Sequence, residues 1–465
     1  MLVIPGDSTI GTSLMTDIAV IVLAAGQGTR MKSSLPKVLH RAAGRSLLSH
    51  VLHAARDLPP SETVIVCGPE MDSVFAEARS IFPQARLAMQ ADRLGTGHAV
   101  AMAKEALADF TGTVLILYGD VPLIETASLA RLVSLAGPQT MAVLGFEAAD
   151  PKGYGRLIRN AAGNVTAIRE ELEASSEEKG ISLCNSGIIA ISSDILWKLL
   201  PQLGKANAKG EYYLTDLVEL AAKSGHSCVL AICPEAEVSG VNDRAQLAGV
   251  EATLQAAYRR KHMLGGATLV SPGTVFFSAD TIIGRDVVIE PHVFFGPGTT
   301  IGDNVEILAF SHLEGATVEV GARIGPYARL RPGAEIGAHA HIGNFVEVKK
   351  AVIGRGAKIN HLTYIGDASI GAKTNIGAGT ITCNYDGFEK HRTDIGEDVF
   401  VGSNTALVAP VKIGDGASIA AGSVVTRDIP ADALAIARPA LDVRSGWAAR
   451  YREIKAARKA AALKS

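Results

Sequence analysis

The sequence predicts two folds in one chain: an α/β unit with a mostly parallel sheet, followed by a parallel β-helix. Three observations predict this. Residues 16–240 alternate short apolar runs with helix-like stretches. From Ile283 to Val425 aliphatic residues recur every six positions. Between these regions lies one helical pattern, at 243–263. Strand–helix alternation is the mark of a parallel sheet. A period of six fits neither a lone helix nor a hairpin series, and it is the repeat of a parallel β-helix.

The elements follow in order. The first fifteen residues hold no Lys or Arg and so lack the charged start of a secretion signal. Residues 1–16 read as a disordered extension, with Met15 a candidate start. Strands are expected at 18–25, 63–67, 86–90, 113–118 and 140–146. They are apolar on both sides, as strands covered by helices on two faces should be. Helices are expected at 38–58, 72–82 and 97–110. Ligands in such sheets belong at the carboxyl ends of the strands. The unit runs over 17–242.

A linker helix spans 243–265. Asp243 caps it, and Leu247, Val250, Leu254 and Tyr258 recur at helical spacing. Arg259, Arg260, Lys261 and His262 favour its carboxyl end, and Gly265-Gly266 stops it. The β-helix occupies 266–438. Its inward series begins Ile283, Ile289, Phe295, Ile301, Ile307 and Leu313, and slips by one residue to resume at Val318. Three hexads make a coil, giving about eight coils. One long break falls at 382–394. A basic tail, 439–465, reads as a solvated terminus.

Composition excludes several functions. Lys+Arg 45 against Asp+Glu 47 gives a net charge of −2, so this is no globally basic nucleic-acid binder. Mean hydropathy is +0.22, yet no apolar run reaches the roughly 18 residues needed to span a membrane. The five cysteines form no CxxC pair, which reads as reduced thiols in a cytoplasmic protein.

Chemistry enters after the first strand, at Leu23-Ala24-Ala25-Gly26-Gln27-Gly28-Thr29-Arg30. Two glycines let backbone N–H groups cradle a phosphate chain. The third Gly of a dinucleotide fingerprint is missing. Arg30 and Lys37 add positive charge that suits a transferring nucleotidyl phosphate. Tyr118-Gly119-Asp120 ends another strand, and a carboxylate there suits Mg²⁺. Gln90 and Leu94-Gly95-Thr96-Gly97 are placed to read a base edge. Asn185-Ser186-Gly187 and Gly240-Val241-Asn242 bring further polar groups to strand ends.

These motifs resemble the sugar-1-phosphate nucleotidyltransferases over residues 17–250. With the hexapeptide half, the chain resembles the bifunctional N-acetylglucosamine-1-phosphate uridyltransferase / glucosamine-1-phosphate acetyltransferase family. The resemblance implies a Rossmann-like first domain. There Leu23, Ala24, Ala25 and residues 26–30 wrap the UTP phosphates, and Lys37 contacts them. Arg30 and Lys37 act in catalysis. Gln90, Gly95 and Thr96 read uracil. Tyr118 and Gly119 line the nucleotide-sugar site, and Gly155, Glu170 and Asn185 hold the sugar. Asp120 and Asn242 ligate Mg²⁺. Ser186 departs from the Thr that relatives often carry.

The β-helix also carries residues its ladders do not require. Arg329-Leu330-Arg331 and Lys349 are cations at coil corners. His361 lies two places after inward Ile359, where small residues are the rule. With Tyr364 nearby on the same side, it reads as a general base near neutral pH. Residues 377–387 lead into the long break. These features resemble the hexapeptide acyltransferases, which implies a left-handed β-helix, a homotrimer, and acyl-CoA between adjacent β-helices. His361 is then the base for the glucosamine amine. Arg331, Lys349, Tyr364 and Asn375 hold the sugar phosphate. Ala378, Asn384, Tyr385, Ser403, Ala421 and Arg438 meet acetyl-CoA.

The expected function has two steps. Acetyl-CoA acetylates glucosamine-1-phosphate, and UTP then couples to the resulting N-acetylglucosamine-1-phosphate with Mg²⁺, releasing pyrophosphate. No nucleic-acid or membrane partner is expected. One alternative is a single-activity nucleotidyltransferase whose β-helix serves only assembly; Lys349, His361 and the Asn384-Tyr385 loop argue against it. The other is a non-enzymatic scaffold.

Overall fold

The computed structural model describes residues 17–462. The expected extension at 1–16, with Met15, lies outside the described residues, as does Lys464 of the tail. The chain divides into two compact units, one ending at Tyr258 and the other beginning at Arg259.

The first unit is built on a nine-stranded sheet. Its strands are β1 Ile18–Leu23, β4 Glu62–Cys67, β5 Arg86–Met89, β6 Thr113–Tyr118, β7 Thr140–Glu147, β8 Arg156–Arg159, β9 Val165–Arg169, β10 Leu183–Ser192 and β11 Ser227–Ile232. A separate hairpin pairs β2 Arg41–Ala42 with β3 Arg45–Ser46. The order is β11-β7-β10-β6-β1-β4-β5, with the β8–β9 hairpin joined to β10. Along that order only β10 is antiparallel to its neighbours. Side chains of β1 alternate between two cores. Ala19 and Ile21 enter one, Val20 and Val22 the other. The sheet is therefore covered on both faces, as its unbroken apolar strands require.

Two expected helices are shorter than the pattern suggested. Of 38–58, only α1 Leu47–Arg56 is helical. A single 3₁₀ turn and the β2–β3 hairpin come first, because Ala43 and Gly44 adopt left-handed backbone (φ 47° and 79°) and fold Arg41 back onto Ser46. Ser46 then caps α1, its hydroxyl accepting the Ser49 N–H at 3.0 Å. Of 97–110, only the part up to Met102 is helical, in a helix that starts one residue earlier (Thr96–Met102). Beyond it Ala103 and Lys104 bond three residues back, and the chain continues as a 3₁₀ turn. β1 stops at Leu23 because the chain then leaves the sheet for the glycine loop.

The helix at Arg244–Leu264 starts where Asp243 accepts the Gln246 N–H at 2.9 Å. Leu247, Val250, Leu254 and Tyr258 pack with Met31 and Leu47. At its end the Gly265 N–H bonds the Lys261 carbonyl at 2.9 Å.

The second unit is a left-handed parallel β-helix of short strands. Three inward ladders run through it. One contains Ile289, Ile307, Ile324, Ile342, Ile359, Ile376 and Val401. Another runs Phe277, Phe295, Leu313, Leu330, Val348 and Ile365. The third runs Ile283, Ile301, Val318, Ile336, Ile353, Ile370, Ile395 and Ile413. Nearly all are fully buried. Ile283, first of its ladder, is half-buried because no rung covers its outer side. At the break, Thr382 takes an inward place and satisfies its hydroxyl on Gly366, accepting its N–H at 2.8 Å. A loop then leaves the prism and returns at Thr393. The final helix, Trp447–Ala462, is exposed along its length. Among the described residues no helix is long and apolar enough to cross a membrane.

Candidate functional site

The first site lies where β1 and β6 end. Gly28 adopts left-handed backbone (φ 62°), and a Cβ there would stand 2.5 Å from Lys37 Cβ. Glycine thus lets the loop close against Lys37. The Gly119 N–H bonds the Leu23 carbonyl at 3.0 Å, and the Val241 N–H bonds the Asp120 carbonyl at 2.9 Å. These bonds bring three distant segments together. Lys37 Nζ forms an ion pair with Asp120 and donates to Asn242 Oδ1 at 3.3 Å. Arg93 Nε fixes the loop from the far side, donating to the Ala25 carbonyl at 2.8 Å. The cavity here is about 270 Å³. Leu23, Ala24, Ala25, Gly26, Lys37, Gln90, Gly95, Thr96, Tyr118 and Asp120 line it.

A second cavity, of about 500 Å³, shares Thr96, Tyr118 and Glu211 with the first. Gly155, Glu170 and Asn185 line it. Glu170 Oε1 accepts from the Thr215 hydroxyl at 3.0 Å. Gly155 passes so close that a Cβ would stand 3.0 Å from Ile168. One residue on from Gly155 and from Glu170, Arg156 pairs with Glu171 at 2.6 Å. The Arg156 guanidinium holds the Glu171 carboxyl below the usual carboxylate range. Burial pushes the Tyr118 phenol up, so it is neutral at physiological pH. The Ser186 hydroxyl is spent on the β10 bulge, donating to the Leu144 carbonyl at 2.6 Å.

The β-helix builds the other site in rows. His361 is exposed at the end of a strand, and its Nδ1 lies 2.7 Å from Asn344 Oδ1, one coil before. The row continues through the backbone. The His361 carbonyl accepts the Gly379 N–H at 3.3 Å, the Ala378 carbonyl accepts the Asn404 N–H at 2.7 Å, and the Ser403 carbonyl accepts the Gly422 N–H at 2.8 Å. Arg438 Nη1 closes it, donating to the Ala421 carbonyl at 2.6 Å. A cavity of about 260 Å³ beside His361 is lined by Asn344, His341 and Arg323. On the next face Arg331 pairs with Glu347 at 2.7 Å, and Lys349 lies in register with Gly366. Asn384 Nδ2 donates to Asp367 at 2.5 Å, and Tyr385 is exposed in the loop.

Comparisons with known proteins identify the family. A family model described as a MobA-like NTP transferase domain matches residues 20–208. A bacterial transferase hexapeptide model matches 280–315 and 392–427. The bifunctional protein GlmU of Paramagnetospirillum magneticum is 56% identical over 95% of this chain and 98% of its own. Those of Azorhizobium caulinodans and Zymomonas mobilis are 54% and 50% identical, each over 94% of this chain and 97% of their own. The chain belongs to the bifunctional GlmU family.

As a GlmU-family protein it is a two-activity enzyme, a uridyltransferase joined to an acetyltransferase. The single-activity and scaffold alternatives are set aside. The structure brings together most of the residues singled out from sequence. Arg30 is an exception: it is exposed and lines neither cavity. His361 and Tyr364 do not share a side, because the left-handed corner at Leu362 (φ 50°) puts them on adjoining faces. Asn375 opens a strand in register with Lys358, on the His361 face. The sequence reading missed Arg93, Glu211, Thr215, Asn344 and Glu347. Asn344 was findable, since it precedes His361 by one coil of 17 residues. Glu211 and Thr215 sit in an irregular stretch with no such signal.

Proposed function

We propose that the two cavities of the first unit take UTP and N-acetylglucosamine-1-phosphate, and that the His361 row acetylates glucosamine-1-phosphate from acetyl-CoA. The observation that carries the reading is the meeting of Lys37, Asp120 and Asn242 beside two adjoining cavities, although Lys37 and Asn242 lie 205 positions apart. Asp120 and Asn242 already converge their oxygens on one cation, the Lys37 ammonium, so this donor pair fits an oxygen-seeking Mg²⁺. When bound, the ion neutralises charge on the triphosphate.

The chain's own residues do the rest. Backbone N–H groups at 26–30 cradle the phosphates, while Lys37 balances charge at the α-phosphorus. Gln90, Gly95 and Thr96 meet the base. Gly155, Glu170 and Asn185 fix the sugar, with Tyr118 shared by the two cavities and Gly119 next to it in the chain. A sugar-phosphate oxygen attacks the α-phosphorus, the bond to the β-phosphate breaks, and pyrophosphate leaves.

In the second unit, His361 donates its Nδ1–H to Asn344 and keeps a free lone pair on Nε2. That nitrogen takes the amine proton as the amine attacks the thioester carbonyl, and the CoA thiolate departs and is protonated. Arg331, Lys349, Tyr364 and Asn375 hold the sugar phosphate. Ala378, Asn384, Tyr385, Ser403, Ala421 and Arg438 hold acetyl-CoA. The reading includes a homotrimer, in which a neighbouring β-helix completes a groove beside the rows. An exposed stack along one corner (His292, Phe310, Tyr327 and Phe345, centroids 4.9 to 5.2 Å apart) offers surface for it. Four of the five free cysteines are buried, in keeping with a cytoplasmic enzyme.

One incubation tests the reading. With glucosamine-1-phosphate, acetyl-CoA, UTP and Mg²⁺, the expected products are free CoA, pyrophosphate and UDP-N-acetylglucosamine. Chelating Mg²⁺ should stop pyrophosphate release and spare CoA release. Pyrophosphate from added N-acetylglucosamine-1-phosphate, with no CoA ever released, would overturn the acetyl-site assignment.

A further inference from the structure

Gln90 lies just past the end of β5, buried to 4% exposure, and its side chain lines the nucleotide cavity. A carboxamide has two faces of opposite chemistry: nitrogen with two hydrogens, oxygen with two lone pairs. The Gly95 carbonyl, 3.1 Å away, can only accept, so the Gln90 atom facing it is Nε2. The same Nε2 lies 3.3 Å from His98 Nδ1. One amide hydrogen goes to Gly95, so the other points at the imidazole. Nδ1 must then accept, and the His98 proton sits on Nε2. Both amide hydrogens are held within the protein. What Gln90 has left for a ligand is Oε1, an acceptor.

Uracil carries a donor, N3–H, between two carbonyls. Cytosine carries a bare acceptor at N3 and its donor on the 4-amino group, so an acceptor oxygen set opposite position 3 favours uracil. We propose that His98 is a positioning residue that locks the Gln90 carboxamide oxygen toward the base, and so selects uracil over cytosine. The inference rests on the reading that Gln90 meets the base. Turning the amide over to suit cytosine would set Oε1 against the Gly95 oxygen and the His98 lone pair, two acceptor–acceptor contacts. His98 is itself held in place. Its ring stacks on Tyr212, with centroids 6.3 Å apart. Tyr212 is tied on both sides, donating to the Leu94 carbonyl and accepting the Gly97 N–H, each at 2.8 Å.

The test compares kcat/KM for UTP and CTP in pyrophosphate release with N-acetylglucosamine-1-phosphate and Mg²⁺. His98→Phe keeps the ring stack and removes the acceptor. It should lower the UTP:CTP ratio by about tenfold or more while acetyl transfer stays unchanged. His98→Asn supplies an acceptor near the place of Nδ1, and should hold the ratio within about threefold of wild type. Gln90→Leu should lower the ratio at least as far as His98→Phe. A wild-type ratio in His98→Phe, with the ratio lost in Gln90→Leu, overturns the positioning role and leaves the base contact standing. A wild-type ratio in Gln90→Leu overturns the base contact itself. Should His98→Phe fail to fold, His98→Leu is read by the same ratio.

Discussion

The two units assemble their sites by opposite means. In the sheet unit, side chains far apart in sequence meet only when the whole fold closes. Lys37 reaches Asp120 over 83 positions and Asn242 over 205. In the β-helix, neighbours are set by the length of one coil. Asn344 and His361 are 17 apart, and the Asp303 carboxylate accepts the Arg285 N–H from 18 away. A solenoid converts sequence spacing directly into geometry. A twisted sheet converts it only through topology, with ligands gathered where strands end.

That contrast predicts separable failures. The largest expected effect is at His361. His361→Ala should reduce acetyl transfer by about 10²- to 10⁴-fold, the usual worth of a positioned base. Uridylyl transfer should stay at the wild-type rate. Equal loss of both activities would break the picture of two independent sites. Asp120→Ala is the mirror experiment. It should cut pyrophosphate release by about a hundredfold or more and raise the Mg²⁺ concentration needed for half-maximal rate, with CoA release unaffected.

How much was legible beforehand follows the same contrast. In the β-helix, inward ladders from Ile289 to Val425 could be read residue by residue, because each coil repeats the last. The break at 382–394 was visible as a failure of phase. In the sheet unit, strand cores such as 113–118 were visible from composition, since both faces are buried. The hairpin at Arg41–Ser46 was not, because the apolar pattern of 38–58 is also a good helical pattern and only the left-handed Ala43-Gly44 turn decides against it. Site residues on regular strand ends, such as Asp120, were placed. Glu211 and Thr215 were not, for their positions depend on tertiary contacts such as the Leu214 N–H to Thr96 Oγ1 bond of 3.0 Å. The corner between His361 and Tyr364 escaped because a hexad count fixes which residues point inward but not where each side ends.

The same contrast extends to stability. Ile342 is fully buried in a ladder where each rung touches only the rungs before and after it. Ile342→Ala should destabilise the β-helix by about 2–5 kcal/mol, as loss of a buried aliphatic side chain does. Measured by calorimetry, the loss should fall on the transition that abolishes acetyl transfer. If uridylyl transfer at a fixed temperature declines in step, the two units do not fold as separately as their contacts indicate.

The smallest effect concerns the helix that ends in the second unit. His262 is buried against Phe277, centroids 4.5 Å apart, and burial pushes its pKa from 6.5 down to about 4, with Lys261 pressing the same way. The folded state thus keeps a neutral imidazole where the unfolded chain takes a proton. Stability from this group is intact above pH 6.5 and falls as pH drops toward 4, because the unfolded state binds the proton first. At pH 5 the loss amounts to about 2 kcal/mol relative to pH 7. His262→Leu removes the titrating group, so its unfolding free energy should decline less than that of wild type between pH 7 and pH 5, by about that amount. The other shifted histidines, such as buried His50 and half-buried His53, titrate alike in both proteins and cancel in the difference. Identical pH dependence in the two proteins would mean that His262 is already hydrated or protonated in the folded chain, and that this end of the helix is not sealed against Phe277.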